Sequence, residues 1–189
     1  MARTTTVKAA RKPQGNCGRC GKEILKGDSY VHASPGFRSR KLVRCTDFDC
    51  RFRQSDLTTS KLSAIYAAQE GAEDDIAALD ADSTDKGTLE QILEAVADAA
   101  EEVAQEYRDA SDAWADGQGH EEWTEWADEC ETYAEDLRSV ASDLEEPPDE
   151  DAESEGDEDE DPSEDGNAKV LWFDEAVETI ETAIGEFSL

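Results

Sequence analysis

The sequence predicts a small α+β module built around four cysteines, followed by an all-α acidic helical hairpin of the coiled-coil type. A disordered basic arm precedes the module, and a disordered acidic linker lies near the end. Three observations predict this. Cys17, Cys20, Cys45 and Cys50 form a C-x2-C pair and a C-x4-C pair within the first fifty residues. Beyond Leu89, apolar residues step by four and three in two long stretches separated by a glycine-rich break. Charge divides the 189-residue chain: residues 1–69 carry 14 Lys and Arg against 5 Asp and Glu, residues 70–189 carry 4 against 44, and the net charge is −31. The hydrophobic content of 37% is low for one large core.

Residues 1–15 hold Arg3, Lys8, Arg11 and Lys12 with no acid and no apolar periodicity, and read as a disordered basic arm. Residues 16–56 form the cysteine module. Cys17-Gly18-Arg19-Cys20-Gly21 is a knuckle whose glycines let the backbone curl. Glu23 to Val31 reads as a short strand, a Gly27-Asp28 turn and a second strand. Arg40 to Arg44 is a third strand delivering Cys45, and Thr46 or Asp47 is placed to cap a helical turn that presents Cys50.

Two thiolate pairs at these spacings converge tetrahedrally on one Zn²⁺, and a closed site of this kind adds folding energy that a small module lacks. The competing reading is two disulfides or four free thiols. Disulfides belong to oxidising compartments. The segment Met1 to Thr6 has no apolar signal region and no stretch approaches a membrane span, so a cytoplasmic location is expected, where this cysteine pattern points to metal. Zn²⁺ is therefore the expected cofactor, held by Cys17, Cys20, Cys45 and Cys50. His32 reads as a surface histidine rather than a ligand, and the distant Cys130 as a buried structural thiol.

Around the cysteines stand Arg38, Arg40, Lys41, Arg44, Arg51 and Arg53, interleaved with Phe37, Phe48 and Phe52. Cations with aromatic rings hold phosphates and stack on bases, which makes these six the candidate nucleic-acid-binding residues. The plainer use of such a surface is solvation. No recognition-helix code is legible.

Residues 57–82 read as a connecting helix with Leu62, Ile65, Tyr66, Ile76 and Leu79 as its apolar positions and Gly71 as a break or frayed point. Residues 88–144 form the acidic antiparallel hairpin. Its first seam is Leu89, Leu93, Val96, Ala100, Val103, Tyr107, Ala110 and Trp114; its second is Trp123, Trp126, Cys130, Tyr133, Leu137, Val140 and Leu144. Asp116-Gly117-Gln118-Gly119 separates them, and seams of similar length fold back on one another. Between residues 88 and 144 only Arg108 and Arg138 oppose the acids. The resulting carboxylate face imitates a phosphate backbone or, more commonly for such surfaces, keeps a helical pair soluble.

Residues 145–167 are the acidic linker; 145–165 contain 14 acids and no Lys or Arg, a composition that cannot offset its ordering entropy. Residues 168–189 form a C-terminal amphipathic helix with Phe173, Val177, Ile180, Ile184 and Phe187 on one face. That helix either closes a three-helix bundle or enters a partner's groove. Trp123, Trp126, Trp172 and Phe173 are the candidate partner-binding residues.

No catalytic constellation is present. His120-Glu121-Glu122-Trp123-Thr124 begins like H-E-x-x-H but has Thr where the second metal ligand belongs. There is no phosphate-cradling glycine loop, and four thiolates leave zinc no open position for water. The expectation is that the protein is not an enzyme and takes no small-molecule substrate.

The first knuckle and its continuation, C-x2-C-x-K-x-I-x-x-G-x-x-Y, resemble the first half of LIM-like and poly(ADP-ribose) polymerase-type fingers, members of the treble-clef class. The second half departs, because those fingers place a histidine among the last ligands. Glu101 to Ala110, followed by the glycine-rich break and Trp126 to Leu137, resembles an acidic hairpin of actinobacterial-phage proteins, and Ser55 to Leu62 is similar to phage sequence as well. That resemblance implies a phage accessory protein acting in the host cytoplasm.

The resulting expectation is a zinc-binding accessory or regulatory protein whose basic module contacts nucleic acid and whose acidic helices contact a host or phage protein. Two other readings are a DNA-mimicking inhibitor of a host DNA-binding protein, with the zinc module as scaffold, and a structural or assembly factor.

Overall fold

The computed structural model describes residues 3–36, 40–113, 120–148 and 165–187. The chain divides into two compact units, Met1–Ala67 and Ala68–Leu189.

The first unit contains five short strands: β1 (Thr5–Val7), β2 (Gly15–Asn16), β3 (Glu23–Ile24), β4 (Tyr30–Ala33) and β5 (Leu42–Cys45). β1, β4 and β5 make an antiparallel sheet in that order, with Thr5 opposite His32 and Tyr30 opposite Cys45. β2 and β3 pair separately, Gly15 opposite Ile24. The expected strands at 23–24 and 30–33 exist but do not pair with each other. β4 finds one of its two partners, and β3 finds Gly15, in the segment read as a disordered arm. That reading is corrected: Ala10 donates its N–H to the Asp28 carbonyl at 2.8 Å and accepts from Gly27 at 2.9 Å. A three-residue strand leaves almost no periodicity in sequence, and its order comes from cross-strand pairing rather than local propensity. Gly27, at φ +100°, supplies the turn that makes this docking possible.

After β5 comes a 3-10 turn at Phe48–Cys50, then α1 (Gln54–Leu57) and α2 (Ser63–Ile76). The single connecting helix expected over 57–82 is thus shorter at both ends. Thr58 is extended, and a turn beginning at Asp80 accepts Thr84 N–H and Oγ1. Gly71 does not break α2; the helix runs through it, tolerating a cost of about 1 kcal/mol relative to alanine.

The second unit holds α3 (Lys86–Ala113), α4 (His120–Asp143) and α5 (Asp165–Gly185). Asp85 caps α3, its Oδ1 accepting the Thr88 N–H at 2.7 Å. Arg138 on α4 meets Glu94, Asp98 and Glu101, whereas Arg108 meets Glu131 and Asp128. Contacts that move up one helix while moving down the other make the pair antiparallel, as expected. Both seams face inward: Leu89, Leu93, Val96 and Ala100 are fully buried, as are Cys130 and Leu137. A second inward stripe of small residues, Ala97, Ala104 and Ser111 on α3 with Ala127, Ala134 and Ala141 on α4, lies beside them. Small side chains at seven-residue spacing let the helices approach closely. Trp114 and the 116–119 break lie outside the described residues.

α5 packs on α4 and α3 through Ala176, Ile180 and Ile184. Tyr133 donates its hydroxyl to the Ile184 carbonyl at 2.9 Å, and Gln69 Nε2 donates to the Tyr133 oxygen at 3.0 Å. The bundle-closing alternative for the last helix is the one observed. The run read as an acidic linker is described only at 145–148 and, in the first turn of α5, from Asp165; the remainder lies outside the described residues. Among the described residues, no helix is long and apolar enough to cross a membrane.

Candidate metal centre

Four elements of the first unit deliver one cysteine cluster. The β2–β3 pair forms the first knuckle: Cys17 N–H donates to the Lys22 carbonyl at 2.8 Å, and Gly21 N–H returns to the Cys17 carbonyl at 3.0 Å. Gly21 sits at φ +74°, the left-handed conformation this reversal requires. Cys45 ends β5, and Cys50 ends the 3-10 turn, whose Cys50 N–H donates to the Asp47 carbonyl at 3.0 Å. Gly18 N–H donates to the Val43 carbonyl at 2.9 Å, tying the first knuckle to the strand that carries Cys45.

The four sulfurs all lie within 4.8 Å of one another. A tetrahedron of zinc–sulfur bonds of about 2.3 Å has an edge of about 3.8 Å, and Cys20 Sγ stands 3.7 Å from Cys45 Sγ. A disulfide demands about 2.05 Å, and all five cysteines are free thiols. The cluster therefore has the dimensions of a closed four-thiolate site, with Cys17, Cys45 and Cys50 buried and Cys20 at the surface. Together with Ala10, Ile24 and Tyr30 these three buried cysteines form one hydrophobic cluster, so the sulfur atoms that could hold a metal belong to the packing of the fold.

The thiols do not ionise alike. Burial pushes Cys17 up, but the backbone N–H groups of Cys20, Cys45 and Arg19 outweigh it and bring the thiol down to about 6. Burial holds Cys45 well above the ordinary thiol range. Cys50 also rises: a hydrogen bond with Cys45 pulls it down, but burial and the neighbouring sulfurs prevail. Cys17 thus ionises more readily than Cys45 and Cys50, and a divalent cation bound by thiolates would draw the protons from the latter two. Asp47 does not cap the 3-10 turn as expected. Its carboxylate accepts from the Cys45 thiol and from Lys22, each at 3.3 Å, and those bonds hold it below the usual carboxylate range. Thr46 instead pairs its hydroxyl with Ser29 at 3.0 Å.

The candidate nucleic-acid residues separate. Arg40, Lys41 and Arg51 are exposed. Arg51 lies over the Phe48 ring, 4.2 Å from its centroid, and Phe48 is 72% exposed. Arg44 is withdrawn, because it pairs with Asp56 at 2.7 Å and its guanidinium faces the Phe52 ring at 5.6 Å. It therefore stands as a paired cation beside the first knuckle, less open to a phosphate than Arg40, Lys41 and Arg51. Arg53 is half-buried at the N-terminus of α1, where its N–H donates to Asp56 at 3.2 Å. Arg38 and Phe37 lie outside the described residues. His32 is half-buried against the Tyr30 ring, and burial with nearby Lys41 lowers its pKa.

The candidate partner residues separate as well. Trp126 meets the Tyr107 ring edge-on at 5.5 Å, and Trp172 Nε1 donates to the Glu145 carbonyl at 3.0 Å. Trp123 and Phe173 are half-buried. Sequence reasoning missed the Asp56 pairing with Arg44 and the Asp47 pairing with Lys22, which join positions distant along the chain and leave no spacing signal. No protein family, curated protein or solved structure matches this chain.

Proposed function

We propose that the protein is a zinc-binding, non-enzymatic accessory or regulatory protein, of the phage type that the sequence resemblance implies. In this reading the zinc-held unit contacts nucleic acid and the acidic helices contact a protein. The observation that carries it is Phe48. This large apolar ring stands 72% exposed on the same 3-10 turn that ends in the ligand Cys50, with Arg51 stacked over it. A metal that fixes Cys50 also fixes the ring, and a rigid aromatic face beside cations is what unstacked bases bind. Arg40 and Lys41 supply exposed charge for phosphates.

Fluorescence anisotropy of labelled single-stranded and duplex DNA and RNA, titrated with the zinc-loaded full chain over a salt series, tests this reading. Single strands should bind more tightly than duplex, with a steep salt slope. Phe48→Ala should weaken binding about tenfold, a stacked base contributing about 1–3 kcal/mol. Absence of binding at low salt, or indifference to Phe48→Ala, would remove the nucleic-acid role.

One observation favours the second reading, a DNA mimic. Lys86, Arg108 and Arg138 are the only cations of α3 and α4, and each already pairs with acids of the same unit. Displacement of a host protein from DNA by a Phe48→Ala variant that no longer binds nucleic acid would favour it.

A further inference from the structure

α4 and α5 do not close completely against each other along their outer side. Two depressions, of about 390 and 400 Å³, lie in line between them and share Val140 as a common wall. Their floor is apolar, built from Leu137, Val140 and Leu144 of the α4 side with Trp172, Ala176 and Phe187 of the α5 side. Their rim is acidic on both helices: Asp136 and Asp143 stand on one side, Glu175 and Glu186 on the other. Asp128 closes one end and also faces Arg108 at 3.5 Å. Among the described residues, no Lys, Arg or His lines either depression.

We infer that this groove is a docking site for a basic amphipathic helix of a partner protein. The inference rests on the reading that the acidic unit engages a protein, and it specifies the chemistry of that partner. Along α4 the groove runs from Asp128 to Asp143, about 22 Å at 1.5 Å per residue, the length of a helix of about fifteen residues. An apolar floor takes the side chains at positions i, i+3, i+4 and i+7 of such a helix, and rims of carboxylate on both flanks take Lys or Arg from its edges. Charge excludes the other occupants. The stretch 145–165 of this chain holds 14 acids and no Lys or Arg, and a second copy brings a net charge of −31. Both are repelled by an acidic rim, as is nucleic acid. Trp172 is the one candidate partner residue in the groove; Trp123, Trp126 and Phe173 do not line it.

The test uses a fluorescein-labelled fifteen-residue peptide of Leu and Lys with leucines at i, i+3, i+4, i+7 and i+11. A peptide of the same composition with its five leucines at alternating positions, i, i+2, i+4, i+6 and i+8, is the control. The zinc-loaded full chain should bind the helical-pattern peptide saturably in anisotropy at 0.15 M salt, and the alternating peptide at least tenfold more weakly. The double variant Asp136→Lys/Glu175→Lys, at exposed rim positions, should lose at least tenfold. Glu102→Lys/Asp112→Lys, exposed positions of α3 with the same change in charge, should lose less than threefold. Circular dichroism identifies any variant that fails to fold, for which Glu129→Lys/Glu186→Lys is the substitute pair.

No saturable binding, equal binding of both peptides, or equal loss in the rim and α3 variants would overturn the inference. So would concentration-dependent dimerisation abolished by the rim variant, which would give the face to a second copy. A nuclease-treated host-lysate pull-down separates the two levels of failure. A protein retained by the rim variant and lost by the α3 variant overturns the groove while leaving the protein-partner reading intact. No retained protein removes both.

Discussion

Arg44 and Asp56 form an ion pair at 2.7 Å in which the two side chains keep only 12% and 20% of their exposure. Arg44 immediately precedes Cys45 of the cysteine cluster, and a Cβ on Gly18 would stand 3.3 Å from its Nη1. Its Nε and Nη1 have no hydrogen-bond partner. Asp56→Asn leaves a largely buried guanidinium without its counter-charge, at a cost of about 2–3 kcal/mol, below the range for a fully buried pair. The zinc-held unit should lose stability and release metal to a chromogenic chelator several times faster. An unchanged release rate would show that the pair does not support the site.

Metal analysis should return one zinc per chain, and chelation should unfold the first unit, half of whose buried cluster around the site is cysteine. Structural zinc contributes apparent free energies of about 10–16 kcal/mol in small fingers. The far-ultraviolet helical signal should survive, because α3, α4 and α5 belong to the other unit. Cys45→Ser should reproduce the chelated state. Retention of zinc by that variant, or loss of the helical signal with the metal, would refute the division of labour.

The alanine stripe predicts a contrast between neighbours on α4. Ala134 is 1% exposed between helices, whereas Glu135 faces solvent. Ala134→Leu forces the helices apart and should cost about 1–3 kcal/mol. Glu135→Leu should change stability by less than about 0.5 kcal/mol. Urea melts followed at 222 nm measure both, and equal midpoints for the two variants would mean that the stripe does not set the helix spacing.

Burial raises the Tyr133 hydroxyl from 10.0 to about 12. The unfolded phenol therefore ionises first, so the protonated form favours the fold fully below pH 10. That contribution is lost as the pH rises from 10 towards 12. Wild-type stability should fall through this window more steeply than that of Tyr133→Phe, which also gives up the bond to the Ile184 carbonyl, about 1 kcal/mol at neutral pH. Parallel pH profiles for the two proteins would contradict the assignment.

The long helices and the four-cysteine cluster were legible because each repeats or clusters along the chain. Leu89, Leu93 and Val96 announce their face by spacing alone, and Cys17, Cys20, Cys45 and Cys50 announce a tetrahedral set. What escaped notice has no local signature. The strand at Thr5–Val7 is ordered by its pairing with Tyr30–His32, and a run of basic and small residues looks the same whether or not such a partner exists. The alanine stripe was invisible for a related reason: alanine is compatible with core and surface, and only the approach of the second helix decides between them. The pairing of Arg44 was not legible because a cation free to meet phosphate and one bound to a carboxylate twelve residues away are written identically.

Arg138 spans three acids of α3, and Arg108 two acids of α4. With those two guanidiniums committed, the helical unit folds as a polyanion, crowding carboxylates together that the unfolded chain keeps apart. Dissolved ions relieve that crowding more in the compact form than in the open one, over a Debye length that falls from about 30 Å at 0.01 M to about 10 Å at 0.1 M. Ionic strength thus becomes a folding variable: the same salt that loosens a basic surface from nucleic acid tightens the acidic bundle at the other end of the chain.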